Sequence, residues 1–156
     1  MNNTITDGGD LMLFLGKKTL AYATSHKLTI NVETTEITSK DNGGGKWKAS
    51  TAKKMSWTVS SDNLYLEKGD STKNQNAFGD LFDLMTARQP IEIVFAKTNE
   101  TEADEIPEEG WTKAATGTYA GKAIITSLDA NANSGDNATY TVSLEGVGAL
   151  THTPEA

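Results

Sequence analysis

The stretch Met55-Ser56-Trp57-Thr58-Val59-Ser60 carries an apolar side chain at every second position. Successive side chains of a β-strand point to opposite faces, so this period of two marks a strand with one face in a core and the other in water. The same period recurs on either side of it. Leu28-Thr29-Ile30-Asn31-Val32, Ile91-Glu92-Ile93-Val94-Phe95 and Tyr140-Thr141-Val142-Ser143-Leu144 repeat it, with β-branched and aromatic residues in most places. Shorter strands are expected at Leu11–Leu15 and Thr19–Ala23, joined through Gly16-Lys17-Lys18, and a further one over Gly121–Leu128. Strands separated by polar turns in this way predict an all-β fold, sandwich or barrel-like.

One segment breaks the pattern. Phe78, Leu81, Phe82 and Met85 fall at i, i+3, i+4 and i+7, the spacing that gathers side chains on one helix face. Asn76 is placed to cap the start and Pro90 to stop the end, which predicts a single flanking α-helix over residues 77–88 with its stripe packed on the β structure.

The chain of 156 residues has room for one domain, residues 1–156. A domain of this size buries roughly 68–70% of the surface that its unfolded chain exposes, enough for one real core. No stretch approaches the roughly 20 apolar residues of a membrane helix, and MNNTITDGGD lacks the basic start and apolar run of a signal peptide. A soluble protein made in the cytoplasm is the expectation. The formal charge of −7 is uneven: residues 1–88 carry 11 basic and 10 acidic side chains, residues 89–156 carry 3 and 11. With no cluster of Lys and Arg, appreciable affinity for double-stranded DNA is not expected.

The residue types that do chemistry are present without the spacing that chemistry needs. Gly43-Gly44-Gly45-Lys46 lacks the four residues between glycines and the Ser or Thr after Lys of a phosphate loop; Trp47 follows instead, as at a glycine-rich hairpin tip. Asp129, Asn131 and Asn133 begin like a calcium loop, but the sixth-position glycine is displaced to Gly135 and the twelfth position is Tyr140, which leaves a polar turn. Glu100, Glu102, Asp104, Glu105, Glu108 and Glu109 crowd the long Thr98–Gly117 loop, where nothing fixes them at the set distances of paired catalytic carboxylates. His26 and His152 have no metal-type spacing, and the chain has no cysteine and no nucleophile elbow. No catalytic, metal-binding or cofactor-binding residue can be nominated, and the expectation is a protein that is not an enzyme.

Three segments carry a resemblance. GKAIITSLDANANSGDNATYTVSLEGVGALT (121–151) joins a G-x-A-x-I-T-S-L strand, a polar turn, an A-T-Y-x-V-S-L strand and a closing G-x-G-A-L. LMLFLGKKTLAYATSHKLTINVETTEITSKD (11–41) has an L-G-x-x-x-x-A-x-A-T hairpin, close to an L-x-G-x-x-x-A-x-A-T pattern, and a long strand ending E-x-T-x-K-D, and KKMSWTVSSDNLY (53–65) has an x-W-x-x-S-x-x-x-L strand before the helix. In this order they resemble the tail-tube (major tail) proteins of long-tailed bacteriophages, over most of the chain apart from the acidic 98–117 loop.

The resemblance implies a structural virion protein of the phage tail, made in the host cytoplasm. It implies subunits that form hexameric rings joined by β-sheet, with the rings stacked into a tube alongside other tail proteins. Genome DNA would pass through without specific binding, along an acidic inner wall. The family's use of a hairpin loop for contacts between rings points to Asp41, Asn42, Gly43, Gly44, Gly45 and Lys46. A competing reading is a monomeric carbohydrate-binding or adhesion β-sandwich, in which Trp47, Trp57 and Trp111 would stack on sugar rings. Trp57, alternating with Ser and Thr in a strand, is expected in the core, and the other two under loops.

Overall fold

The computed structural model describes residues 5–6, 8–16, 18–37, 50–69, 71–99 and 110–154. Among these residues eight strands run in chain order: β1 (Leu11–Leu15), β2 (Lys18–Leu20), β3 (Ala23–Glu36), β4 (Ser50–Leu64), β5 (Gln75–Asn76), β6 (Ile91–Lys97), β7 (Thr118–Asn131) and β8 (Thr139–Thr153). An α-helix, α1 (Phe78–Ala87), stands between β5 and β6. The strands form a single sheet in the order β3-β4-β8-β7-β6-β1-β2-β5, with every neighbouring pair antiparallel except β2 and β5.

Connectivity bends this sheet round on itself. β2 and β3 lie six places apart in the order, about 29 Å in a flat sheet at the usual strand spacing. Only Ala21 and Tyr22 separate Leu20 from Ala23, and those three steps span at most about 11 Å. The two ends of the sheet are therefore brought together, which gives the barrel-like form expected from the alternation. Tyr22 turns the corner at φ 51°. Its carbonyl accepts from the Leu64 N–H at 3.0 Å, and the Ala21 N–H donates to Asn76 at 2.8 Å, so each side of the corner is bonded to its own neighbouring strand, β4 and β5.

The core lies inside this curl. Trp57 and Val59 of β4, Val142 and Leu144 of β8 and Ile125 of β7 meet Leu13 and Leu15 of β1 and Leu81 of α1. β1 and β6 are buried on both faces. Phe14 and Val94 point away from the main core into a smaller cluster, which the half-buried Trp111 covers. That placement explains why LMLFL reads as a continuous apolar run rather than an alternating one.

The helix forms where expected, with different caps. Asn76 is buried in β5, paired with Leu20, and the N-cap is Ala77, which has no side-chain acceptor. The orphan donors are met otherwise: the Asp80 carboxylate accepts from the N–H groups of Ala77 (3.0 Å) and Gly69 (3.1 Å), and Phe78 and Gly79 donate to the carbonyls of Leu66 and Glu67. Arg88, left-handed at φ 57°, ends the helix before Pro90 is reached, its N–H donating to Met85.

The expected stripe is corrected at one position. Leu81 is fully buried and Phe78, Leu84 and Met85 flank it, whereas Phe82 is 53% exposed. The buried arc centres on Leu81, and the next residue is turned about 100° away from it.

Candidate assembly surface

β3, β4, β8 and the second half of β7 make a wing of four strands that differs from the rest. β7 pairs with β6 only over Tyr119–Ala123. Beyond Ala123 it keeps β8 on one side, to Asn131, and no described strand lies on its other side. β3 is the terminal strand of the sheet, and its 14 residues likewise have a described partner on one side alone. The wing thus ends in two open rows of backbone donors and acceptors, the feature that invites pairing with another chain.

The wing has two unlike faces. One bears Leu28, Trp57, Val59, Leu144 and Ile125 and is covered by the rest of the chain. The other bears Thr58, Asp62 and Glu145, which are exposed. Along β3 and β4 the core-facing side runs on past the core, so Ile30 (46% exposed), Val32 and Met55 (69% exposed) keep the apolar alternation without burial. Cross-strand pairing joins Ile30 to Trp57 and Val32 to Met55. Half-burial of these strands, as expected from the sequence, holds only for their body-side ends. An open groove of about 520 Å³ lies here, lined by Ile30, Met55, Trp57, Gly148 and Leu150 among others.

Trp57 closes the inner end of that groove and accounts for the glycines of the closing motif. A Cβ on Gly146 would stand 2.2 Å from the indole, and one on Gly121 2.7 Å from it, so both strands must be bare where the ring lies. Gly148, at φ 82°, sits where the β7–β8 register slips between Ala120 and Lys122. Its carbonyl accepts the indole N–H at 3.1 Å. The Trp57 ring is thereby 4% exposed, in the core as expected and out of reach of a sugar.

Asp41–Lys46 and Trp47 fall in the connection between β3 and β4 and lie outside the described residues, as do Glu100–Glu109. Asp129, Asn131 and Asn133 stand at the exposed end of β7 and in the turn after it. Among the described residues no group of three His, Asp or Glu could hold one metal ion.

The two histidines part company. His152 stacks on Tyr119 with ring centroids 4.6 Å apart. His26 lies opposite Ser61 at the seam, its Nδ1 buried without a partner, and burial lowers its pKa to about 4. Tyr140, whose hydroxyl is also buried without a partner, is pushed up to about 12 by burial and by the nearby Asp80 charge.

What sequence reasoning missed is the pair of open edges. Alternation reveals which face of a strand is buried and carries no record of which edge is bonded. The signal that existed was length: β3, β4, β7 and β8 each run to 14 or 15 residues, longer than the body they cover.

A family model described as phage tail tube protein matches residues 7–152. Among solved structures, the chain is similar to one from the virion of a native gene transfer agent particle, with TM-score 0.69 and 20% identity over 96% of this chain and 99% of that one. It is similar to another from the tail of an empty gene transfer agent particle refined with C6 symmetry, with TM-score 0.70, 20% identity and the same coverage. A structure of the SPP1 tail tube gives TM-score 0.62 at 8% identity, over 96% of this chain and 80% of that one. No curated protein matches significantly.

Proposed function

The chain belongs to the phage tail tube protein family and is a structural subunit of such a tube; from that premise we propose that its wing joins copy to copy in closed rings of six, stacked into a tube that DNA traverses. The observation that carries the ring is the pair of open edges on β3 and on β7 beyond Ala123. β3, β4, β8 and β7 alternate in direction, so β7 of one copy runs antiparallel to β3 of the next. An even number of strands lets that alternation repeat from copy to copy, and identical head-to-tail contacts close once the rotation is complete. The C6 symmetry of the similar gene transfer agent tail supports a ring of six.

Contacts between rings are assigned to Asp41–Lys46, supported by their place in the β3–β4 connection and by the uncovered Ile30, Val32 and Met55 on its stem. On this reading the protein has no catalytic role, acts in the virion after synthesis in the host, and meets other tail proteins at the tube ends.

Electron microscopy of concentrated protein tests this directly. Tubes of six-fold cross-section are expected, and replacing residues 42–45 by a two-residue turn should leave rings that do not stack. A protein that stays monomeric at every concentration would refute the reading and favour the adhesion module.

A further inference from the structure

Resting on the tube reading, we propose the register of the junction between copies: β7 of one copy lies along β3 of the next with Asp129 opposite Thr29, Leu128 opposite Ile30 and Asn131 opposite Lys27. The partner at this surface is a second copy of the chain. It is held in one alignment and cannot slide along the edge.

The alternation of faces limits the choices first. Lys27, Ser60, Ser143 and Ser127 share one row and one face, and Ser25, Asp62, Thr141 and Asp129 share the next row. There the hydroxyls of Thr141 (2.7 Å) and Ser25 (3.1 Å) both donate to the Asp62 carboxylate. Leu28, Ile30 and Val32 of β3 and Ile125, Leu128 and Ala130 of β7 lie on the opposite face. A slip by an odd number of residues would set these apolar side chains beside the hydroxyls and charges, so the offset between copies is even. A closed barrel also needs a stagger, which excludes the straight row with Ser127 opposite Lys27.

The ends of the two edges then select the offset. β7 is open from Ile124, the residue after its last pair with β6, to Asn131. On β3, Ser25 and His26 line a cavity with Leu11, Leu20 and Gln75 of the body, so the open length starts at Lys27. An offset of four residues sets the last residue of β7 against that first open residue of β3. Each apolar side chain of β3 then meets one of the neighbour's: Leu28 meets Ala130, Ile30 meets Leu128, and Val32 meets Ile125 past the extra residue Thr126 at the β7 slip. Ile30 and Val32, 46% and 45% exposed in the subunit, are covered in this way. An offset of two carries Asn131 alongside Ser25 and leaves Val32 bare, and one of six leaves Leu28 unpaired. A stagger in the other sense runs β7 past the corner at Tyr22. At four, the exposed Lys27 also stands diagonal to the exposed Asp129, where opposite charges on long side chains attract. Four residues of stagger across four strands incline the strands by about 35°, as in other closed barrels, whereas two would give about 19°.

The chain has no cysteine, so introduced pairs report without background. Asp129→Cys combined with Thr29→Cys should form disulfides between copies when tubes are oxidised. Within one copy β3 and β7 are three places apart in the sheet, about 14 Å, beyond the roughly 7 Å that a disulfide bridges. Denaturing electrophoresis of the oxidised tubes should show a ladder that ends at six copies. Ser127→Cys with Asn31→Cys reads the same register one row on, should give the same ladder, and decides the question if the first variant does not assemble. Asp129→Cys with Lys27→Cys and Asp129→Cys with Asn31→Cys read offsets of two and six and should link about tenfold more slowly. A ladder strongest for either of these pairs overturns the register. Tubes in which none of the four pairs links overturn strand pairing between β7 and β3 altogether. If the parent builds no tubes, the tube reading itself fails, and the register with it.

Discussion

The β1–β6 pair and the four-stranded wing are built from similar strands and end in opposite states. β1 and β6 are buried on both faces and bonded along both edges, so nothing is left for a partner. The wing is buried on one face and open at both ends, with Ile30 and Met55 still in solvent. The difference teaches where each property of the protein resides: folding free energy in the body and its covered face, assembly in the edges. Substitutions in the two regions should therefore separate stability from polymerisation.

The largest effect is expected in the body. Leu81→Ala empties a fully buried site under the helix and should cost about 2–5 kcal/mol, read as a fall in the denaturant midpoint of the isolated subunit. A loss below 1 kcal/mol would mean that the helix is only loosely seated on the sheet.

Acid should act at the seam where the sheet closes. His26 has a folded pKa lowered to about 4 from 6.5, so between these values the unfolded chain binds the proton that the folded one refuses. The His26 contribution is intact above pH 6.5, falls as pH drops toward 4, and amounts to about 3 kcal/mol once fully lost. His26→Gln, which cannot take up the proton, should flatten that part of the stability profile. An unchanged slope would place the seam in water.

Next comes the Trp57 seat. Gly146→Ala sets a methyl into the indole and should destabilise by about 1–3 kcal/mol, with altered tryptophan fluorescence. A neutral substitution would show that the ring can slide toward the groove. The smallest effect is expected for Phe82→Ala. At 53% exposure it should cost under about 1 kcal/mol in the isolated subunit, and a loss near that of Leu81→Ala would put Phe82 back in the core stripe.

Particular residues show how far the sequence could be read. The alternation around Trp57 identified strand, face and core in a single stretch, because the period of two is the same physical fact as half-burial. The tail-tube resemblance drew on Gly146 and Gly148 without a reason for them. The reason is an indole lying across β7 and β8, a contact between positions far apart in the chain that no local pattern encodes. Phe82 failed as a core residue because the covered arc is centred on Leu81 and extends toward Leu84, on the side of the helix away from Phe82. The Asn76 cap failed because a buried two-residue strand claimed that backbone first, leaving Asp80 to satisfy the helix. Open edges could not be read from alternation, since bonding partners across a sheet leave no trace in the period of either strand; the length of β3, β4, β7 and β8 was the one indirect signal.

Hydrogen exchange, measured segment by segment on dispersed subunits and on assembled tubes, tests the central claim most directly. Amides of β3 and of β7 beyond Ala123 that face the open edges should exchange freely in the subunit and become protected on assembly, while β1 and β6 stay protected throughout. Assembly that leaves those two edges exchanging as before, with new protection confined to other surfaces, would contradict the account of a ring closed by strand pairing.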